Sequence, residues 1–400
     1  MHGTIDSLFR IEWRPLAELG AIAADWRALA GSALEPNVFY EPAFAQAAAP
    51  VFGRDVGAGL VWSRAALASE ASSQRGNSKV RAPPRLLGFF PARIEHRRYG
   101  ITPPVLVGWT HPYAPLGAPL VDREASEAVI SAWFDHVAND PHLPGVMLLP
   151  CLPTEGALAR ALDAVMARRG GGNACFARHQ RALLLPAGDR TTYLDDAVGR
   201  KKRKELRRQR KRLGDSGSVT SSDTGEPSVV PRALDDFLAL EADGWKGRAG
   251  TAARGDADVA GLMTAAVTAL AGEGKARIAR LCVGERPIAA MVTLSSGATA
   301  WCWKVAYDES YARFSPGVQI LLDVTQTLLN DPAVARADSC ATADHPMIDH
   351  VWRERLALAD RLVSVGRGRS FGFTLVRALE ALRRTAIGGA KALRDVVKRR

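Results

Sequence analysis

Three apolar runs, 276–283, 287–294 and 300–307, follow one another with only a few residues between them. The links, Gly284-Glu285-Arg286 and Ser295-Ser296-Gly297, are short and made of turn-forming residues. Runs of this length joined in this way predict hairpins, and hence an antiparallel meander. The third run leads through a loop, 308–316, into a helical stretch at 317–329. Helical periodicity at 231–245 and 259–273 precedes the meander. A strand at 335–340, a helix at 350–356 and a strand at 361–366 are expected after it.

The first half of the chain has the same order. Helices are expected at 16–30 and 42–49, strands at 56–62, 86–94 and 105–109, and a Pro/Gly/Tyr-rich loop at 110–119. A helix at 124–138, a strand at 146–149, a helix at 155–169 and a strand at 174–185 complete it. The polar stretch 63–85 reads as a disordered insertion in a hairpin. Topology repeats here and sequence does not, so one large mixed α/β domain stays open beside two similar ones. At 400 residues the chain is long enough for two domains.

Five cysteines, Cys151, Cys175, Cys282, Cys302 and Cys340, include no C-x-x-C pair. That pattern predicts neither a disulfide framework nor a metal site and fits a reducing, cytoplasmic setting. The start of the chain lacks the basic-then-apolar pattern of a secretory signal. No run approaches the roughly 18 apolar residues of a membrane span.

A net charge of +11 suggests a nucleic-acid partner until it is located. Residues 200–212 hold ten Lys/Arg and one Glu, for +9, and 371–400 hold eight basic and two acidic residues, for +6. The rest of the chain is therefore mildly acidic. The stretch 201–213 reads as a helix whose only candidates for burial are Val198, Leu206 and Leu213. Three readings stay open: a solvated interdomain helix, a contact to an anionic substrate, lipid or tRNA phosphate, or a nucleic-acid binder. No helix-turn-helix, zinc-finger or RNP pattern supports sequence-specific nucleic-acid recognition. In 371–400, Leu375, Leu379, Leu382, Ile387, Leu393 and Val396 recur near helical spacing, and basic residues fill most of the remainder. A basic amphipathic helix of this kind fits either an anionic membrane surface or its own domain.

Chemistry is expected between Trp301 and Gln319. Ser315 suits an N-cap and Pro316 the first helical position. Gly317 permits close backbone approach, and the amides of the first turn, Val318 among them, form an anion site at the positive end of the helix dipole. Arg313 adds a guanidinium for phosphate. An ordinary Ser-Pro helix start with a surface arginine is the plain alternative.

Several motifs together resemble a known family. They are the run 200–213 into Gly217, Trp245-Lys246-Gly247-Arg248-Ala249-Gly250, Lys304-Val305-Ala306-Tyr307-Asp308-Glu309, Arg313-Phe314-Ser315-Pro316-Gly317, and Asp338 through Asp344-His345 to Trp352. The chain is similar in these to CelD-like acetyltransferases of the GNAT superfamily, associated with cellulose and exopolysaccharide production and related to Fem-type aminoacyl transferases. The likeness is strongest over 195–365 and looser in the first half.

The resemblance implies an α/β protein of two tandem GNAT-like domains, each a mixed, mostly antiparallel sheet flanked by helices. A degenerate or acceptor-binding domain at 1–190 would be followed by a basic helix at 191–215, the acyltransferase domain at 216–368, and a basic amphipathic helix at 369–400. Acetyl-CoA, or another acyl-CoA, would be the co-substrate, with no metal. Its pantetheine arm would lie along Trp303, Val305 and Tyr307, and its diphosphate at Arg313, Ser315, Gly317 and Val318. Arg313 stands one residue further from Gly317 than in the general GNAT pattern, and Val318-Gln319 lacks its second small residue. Aminoacyl-tRNA thus remains the alternative donor, and a non-catalytic partner of polysaccharide assembly the third reading.

Transfer to an amine or hydroxyl needs a base. His345, Asp338 and Asp344 are the candidates where the next strand ends. His345 has the fitting unperturbed pKa, with a loop histidine as the plain alternative, and Asp338 reads equally as a structural cap. Cys340 reads as a nucleophile or, more commonly for a strand cysteine, a buried side chain. Lys246 and Arg248 are candidate substrate contacts, or simply cations at a helix end. The expected acceptor is a small molecule or saccharide. The expected location is the cytoplasm, peripheral at the inner membrane face if the last helix binds lipid.

Overall fold

A computed structural model describes residues 8–64, 83–186 and 188–398, with side chains as far as 389. The insertion expected at 63–85 lies mostly outside the described residues. In chain order the elements are β1 (Phe9–Pro15), α1 (Ala23–Ser32), α2 (Pro42–Phe52), β2 (Val56–Ser63), β3 (Leu86–Glu95), β4 (Val105–Gly108) and β5 (Leu120–Val121). Then come α3 (Ser126–Asn139), β6 (Val146–Pro153), α4 (Ala157–Arg169), β7 (Asn173–Leu184), α5 (Tyr193–Ala197), α6 (Arg200–Leu213) and β8 (Val219–Thr224). Helices α7 (Val230–Asp243), α8 (Trp245–Arg248) and α9 (Ala257–Gly272) lead to β9 (Ala276–Val283), β10 (Arg286–Ser296) and β11 (Thr299–Tyr307). The chain continues with α10 (Pro316–Asn330), β12 (Arg336–Asp338), β13 (Glu354–Ser364) and α11 (Phe371–Lys398).

These elements form two compact units. The first comprises the chain up to Asn37, Asp55–Arg178 and everything from Leu358; the second comprises Val38–Arg54 and His179–Ala357. Strands β1, β2, β3 and β4 of the first unit pair antiparallel in sequence order. Strand β4 then pairs parallel with β6, and β6 antiparallel with β13. The second unit has the same plan. Strands β8, β9, β10 and β11 pair antiparallel, β11 pairs parallel with β12, and β12 antiparallel with β7. Each unit is completed by a strand from the other half of the sequence.

In the first unit, β2 and β3 are almost wholly buried, as apolar runs without alternation require. Trp133 of α3 stacks on Phe90, 5.4 Å between ring centroids, and lies over Gly59, where a Cβ would come within 2.4 Å of the indole. Helix α11 docks through Phe373 and Val376, which join Val105, Val107, Val146, Leu148 and Leu362. Beside them the Glu380 carboxylate, fully buried, accepts from Arg98 Nε at 2.9 Å, Tyr99 Oη at 3.0 Å and Arg384 Nε at 2.7 Å.

Burial acts to raise the Glu380 pKa, but the Arg98 bond and the nearby guanidinium charges outweigh it and hold the group below its ordinary 4.5. A carboxyl lowered in the folded state stabilises above its unfolded pKa, and that stabilisation is lost as pH falls below about 4.5. Glu380→Gln is therefore expected to cost about 2 kcal/mol at neutral pH and to flatten the acid limb of the stability curve. Urea unfolding at pH 7 and pH 4 checks this; parallel losses at both pH values would refute it.

In the second unit, α2 belongs to the sheet it packs on. Phe39 and Phe44 meet Trp301 and Trp303 edge-on, 6.0 and 5.5 Å between centroids. Helix α6 buries Leu206 and Leu213, and Val198 just before it is buried too. Gln319 Nε2 of α10 donates to Leu206 O at 2.9 Å, and Arg210 pairs with Asp323 at 2.9 Å. The helix expected at 350–356 is absent. Turns run from 346 to 351, and β13 starts at Glu354. The reason is packing: Ile348, Val351 and Trp352 all bury against α10, with Trp352 Nε1 donating to Thr325 Oγ1 at 3.0 Å.

Candidate functional site

Strand β11 is paired along its whole length on one side and only briefly on the other. With β10 it stays in register as far as Ala289↔Tyr307, whereas with β12 the last pair is Trp301↔Asp338. Six residues of β11, 302–307, therefore run on past the end of β12. A register shift in the β10–β11 pairing leaves Trp303 as an extra residue on β11, between Lys304 opposite Val292 and Cys302 opposite Thr293. Such a bulge turns two successive side chains to one face. Cys302 and Val305 both pack in the cluster formed with α10. Trp303 meets Phe44, and the Lys304 charge is felt by Lys246 and Glu241.

The bulge thus sends a lysine to the face lined by α7 and α8. There a cleft of about 280 Å³, open to solvent, is bounded by Leu240, Glu241, Gly244, Trp245, Lys246, Val305, Ala306, Tyr307 and Glu309. Buried Glu241 anchors its wall: one carboxylate oxygen accepts from Lys246 Nζ at 2.6 Å, the other from Ala253 N at 2.9 Å. Trp245 is 58% exposed at the lip. Its amide donates to Glu309 Oε1 at 2.8 Å, and Glu309 also pairs with Arg248. Arg248 therefore sits on the surface beside the cleft and Lys246 inside it. Burial, reinforced by Lys246, brings the Lys304 pKa down to about 8. Lys304 and Trp245 both lie in motifs noted above, yet the sequence alone marked neither as functional. A lysine inside an otherwise apolar strand is the signal that could have found the first.

Helix α10 starts close by, and its start differs from expectation. Ser315 occupies the N-cap position but makes no side-chain cap, because its backbone is left-handed, φ 52° and ψ 51°. Its carbonyl oxygen instead accepts from both Val318 N and Gln319 N at 3.0 Å. Of the first-turn amides predicted to be free, those of Val318 and Gln319 are thus taken up, Pro316 has none, and Gly317 is buried. A Cβ on Gly317 would approach Tyr307 Cδ1 to 2.9 Å and Met347 Sδ to 3.0 Å, so only glycine fits without a shift. Arg313, exposed on the preceding turn, lies over the Phe314 ring at 4.7 Å. The positive end of a helix with no acid in its first turn, beside the exposed Arg313 guanidinium, fits a phosphate-bearing donor with a narrower grip than the sequence suggests.

The loop after β12 carries the other candidates. Asp338 is buried, pairs with Arg181 and accepts from Cys340 N at 3.0 Å, so its carboxylate is held in structural contacts. Burial, then the Asp338 charge, pushes the Cys340 thiol well above its ordinary range, which leaves it protonated at neutral pH and a poor nucleophile. His345 is part-buried and accepts from Met347 N at 3.3 Å through Nδ1, while Asp344 is exposed with φ 56°. Through Met347 this loop touches the Gly317–Tyr307 contact; neither His345 nor Asp344 bounds the cleft, and Lys304 is likewise not among its bounding residues but lies within electrostatic reach of two of them, Lys246 and Glu241.

The matching splay in the first unit is larger, about 490 Å³, and its charged walls are bound to one another. Arg93 and Arg98 pair with Glu95, and Asp360 with Arg384. The helix after β4 and β5, α3, has Glu127 in its first turn, which opposes an anion there.

Comparison with known proteins agrees with this architecture. Residues 200–345, the stretch that holds α6 and the cleft, match the family model described as acetyltransferase (GNAT) domain. A protein of unknown function from Bacteroides thetaiotaomicron VPI-5482 is similar with a TM-score of 0.52 at 11% identity, over 88% of this chain and 99% of that one. FemX is similar with a TM-score of 0.53 at 7% identity, over 86% of this chain and 95% of its own. A tandem GNAT protein from the clavulanic acid biosynthesis pathway covers 90% of this chain and all of its own at 14% identity, but its TM-score of 0.41 is too low to argue from. At these identities the structural likeness establishes the fold alone. Among curated proteins, none matches the chain in sequence. The fold class is α/β, with mixed, mostly antiparallel sheets flanked by helices, and over residues 200–345 the match supports a GNAT-type transferase domain.

Proposed function

We propose that the second unit transfers an acyl group, acetyl in the simplest case, from coenzyme A to an amine or hydroxyl of a small-molecule or saccharide acceptor. The observation that carries this reading is the bare length of β11 beyond β12, bulged at Trp303, with a cleft on one face and the start of α10 beside its end. The acyl thioester supplies an electrophilic carbonyl: the acceptor's nitrogen or oxygen forms the new acyl bond, the carbon–sulfur bond breaks, and coenzyme A leaves as its thiolate. The positive end of α10 and Arg313 hold the donor's phosphates, and the β11 backbone from Trp303 through Val305 to Tyr307 holds its extended arm.

The acceptor enters past Trp245, whose exposed ring offers a flat apolar face of the kind that sugar rings cover. That feature, with the resemblance to CelD-like proteins, is why we favour a saccharide and a role in envelope or exopolysaccharide synthesis. Lys304, whose neutral form is favoured by burial, takes the acceptor's proton, a role the sequence suggested for His345.

Isothermal calorimetry with acetyl-CoA tests the donor. Gly317→Ala forces Tyr307 or Met347 to move and is expected to weaken binding about tenfold, as overpacking of one methyl does. No heat from acetyl-CoA with the wild-type chain would end this reading. A second donor, aminoacyl-tRNA, is favoured by one observation. Arg200, Lys201, Lys202, Lys204, Arg207, Lys211 and Arg212 of α6 are exposed and have no ion-pair partner among the described residues. Salt-sensitive binding of charged tRNA without binding of coenzyme A would select it.

A further inference from the structure

Helix α11 has two apolar faces, and the fold uses one. Its docked face is Phe373, Val376 and the buried Glu380, with the Phe373 ring closing over Gly172. At about 100° per residue, Phe371, Leu375, Ala378 and Leu382 fall in a stripe roughly 60° wide on the opposite side. Phe371 is 85% exposed and Leu382 68%. From Thr385 to Gly389 every residue is exposed, so the helix continues after its docking ends.

Charge follows the same division. The one acid among the described side chains of α11 is Glu380, which lies inside. Arg369, just before the helix, and Arg377 are exposed with no ion-pair partner among the described residues, whereas Arg383 is part-buried and pairs with Glu380 on the docked side. The turn tied to Glu380 through Arg98 and Tyr99 adds exposed Arg97 and Ile101. No helix among the described residues is long and apolar enough to cross a membrane.

We propose that the outward face of α11, Phe371, Leu375 and Leu382, with the exposed Arg369, Arg377 and neighbouring Arg97, docks the protein on an anionic lipid bilayer, with the helix lying in the plane of the surface. Apolar side chains enter the acyl boundary while the arginines stay at the headgroups, which is how a helix of this pattern binds an interface. A second copy of the chain is a poorer occupant. Two such faces brought together would oppose arginine to arginine with no exposed acid among the helix's described side chains to relieve it. The proposal does not depend on what the cleft binds.

Co-sedimentation of the full chain with vesicles tests it. Binding to phosphatidylcholine vesicles containing phosphatidylglycerol is expected to exceed binding to phosphatidylcholine alone by at least about tenfold and to fall with added salt. The double variant Phe371→Glu, Leu382→Glu is expected to lose roughly tenfold or more, with an unchanged thermal melt because both side chains are exposed. Glu380→Gln, which touches only the docked face, should leave vesicle binding intact. No binding to either vesicle, or binding unaltered in the double variant, would overturn the proposal. So would a wild-type dimer in sedimentation velocity that the double variant dissolves, since the stripe would then be a self-association face.

Discussion

Lys304→Met is expected to slow acyl transfer by roughly 10²–10⁴-fold, the usual range for loss of a general base. Methionine keeps the length and apolar stem of lysine, so Trp303 and the bulge should stay in place. In the wild type the activity should rise with pH through about 8, because the neutral amine is the working form and burial has brought its pKa there. The variant should lack that limb. Lys304→Arg separates the two roles a lysine can have here. A guanidinium keeps the positive charge and stays protonated, so it rescues activity if the charge merely steers an anionic ligand and fails if a proton must be taken. A wild-type pH–rate profile that is flat between 7 and 9, with Lys304→Arg fully active, would remove Lys304 from the chemistry.

The second large effect is on stability. Asp338→Ala removes one partner of a guanidinium that is only 3% exposed, and it also strips the acceptor from Cys340 N. Breaking one side of a buried pair typically costs about 3–5 kcal/mol. Asp338→Asn keeps an oxygen for the Cys340 amide and should lose less. Replacing both partners by apolar residues, Arg181→Met with Asp338→Leu, should recover most of the loss, since the desolvation of two ions is avoided as well. Denaturant melts of the four proteins decide it. Equal stability of Asp338→Ala and wild type would mean that the pair contributes nothing, and Asp338 would return as a candidate base.

How much of the site could be read beforehand depended on how local its causes are. The Trp245-Lys-Gly-Arg segment, the strand ending at Tyr307 and the Ser-Pro-Gly helix start were all legible as motifs, and Lys246, Val305 and Tyr307 do line one cleft. The bulge was not legible. It is a register shift between β10 and β11, and the residue it adds, Trp303, packs on Phe44 from a distant segment. The state of the α10 amides was not legible either, since Ser315 is a normal N-cap residue type and only its left-handed backbone redirects its carbonyl.

By itself the sequence determined the meander, the helix start at Pro316 and the buried positions of α6. Each follows from hydrophobic period and Gly, Pro and Ser chemistry within a few residues. Edge strands β1 and β8 escaped, because a half-exposed strand such as Val219–Thr224 carries little apolar signal. Tertiary structure alone decided that each sheet is completed by a strand from the other half, that α2 joins the second unit, and that Arg181 meets Asp338 across 157 residues of chain. Contacts at that separation are selected by which buried charges and edges can satisfy one another once the chain is compact, and no periodicity along the sequence records that choice.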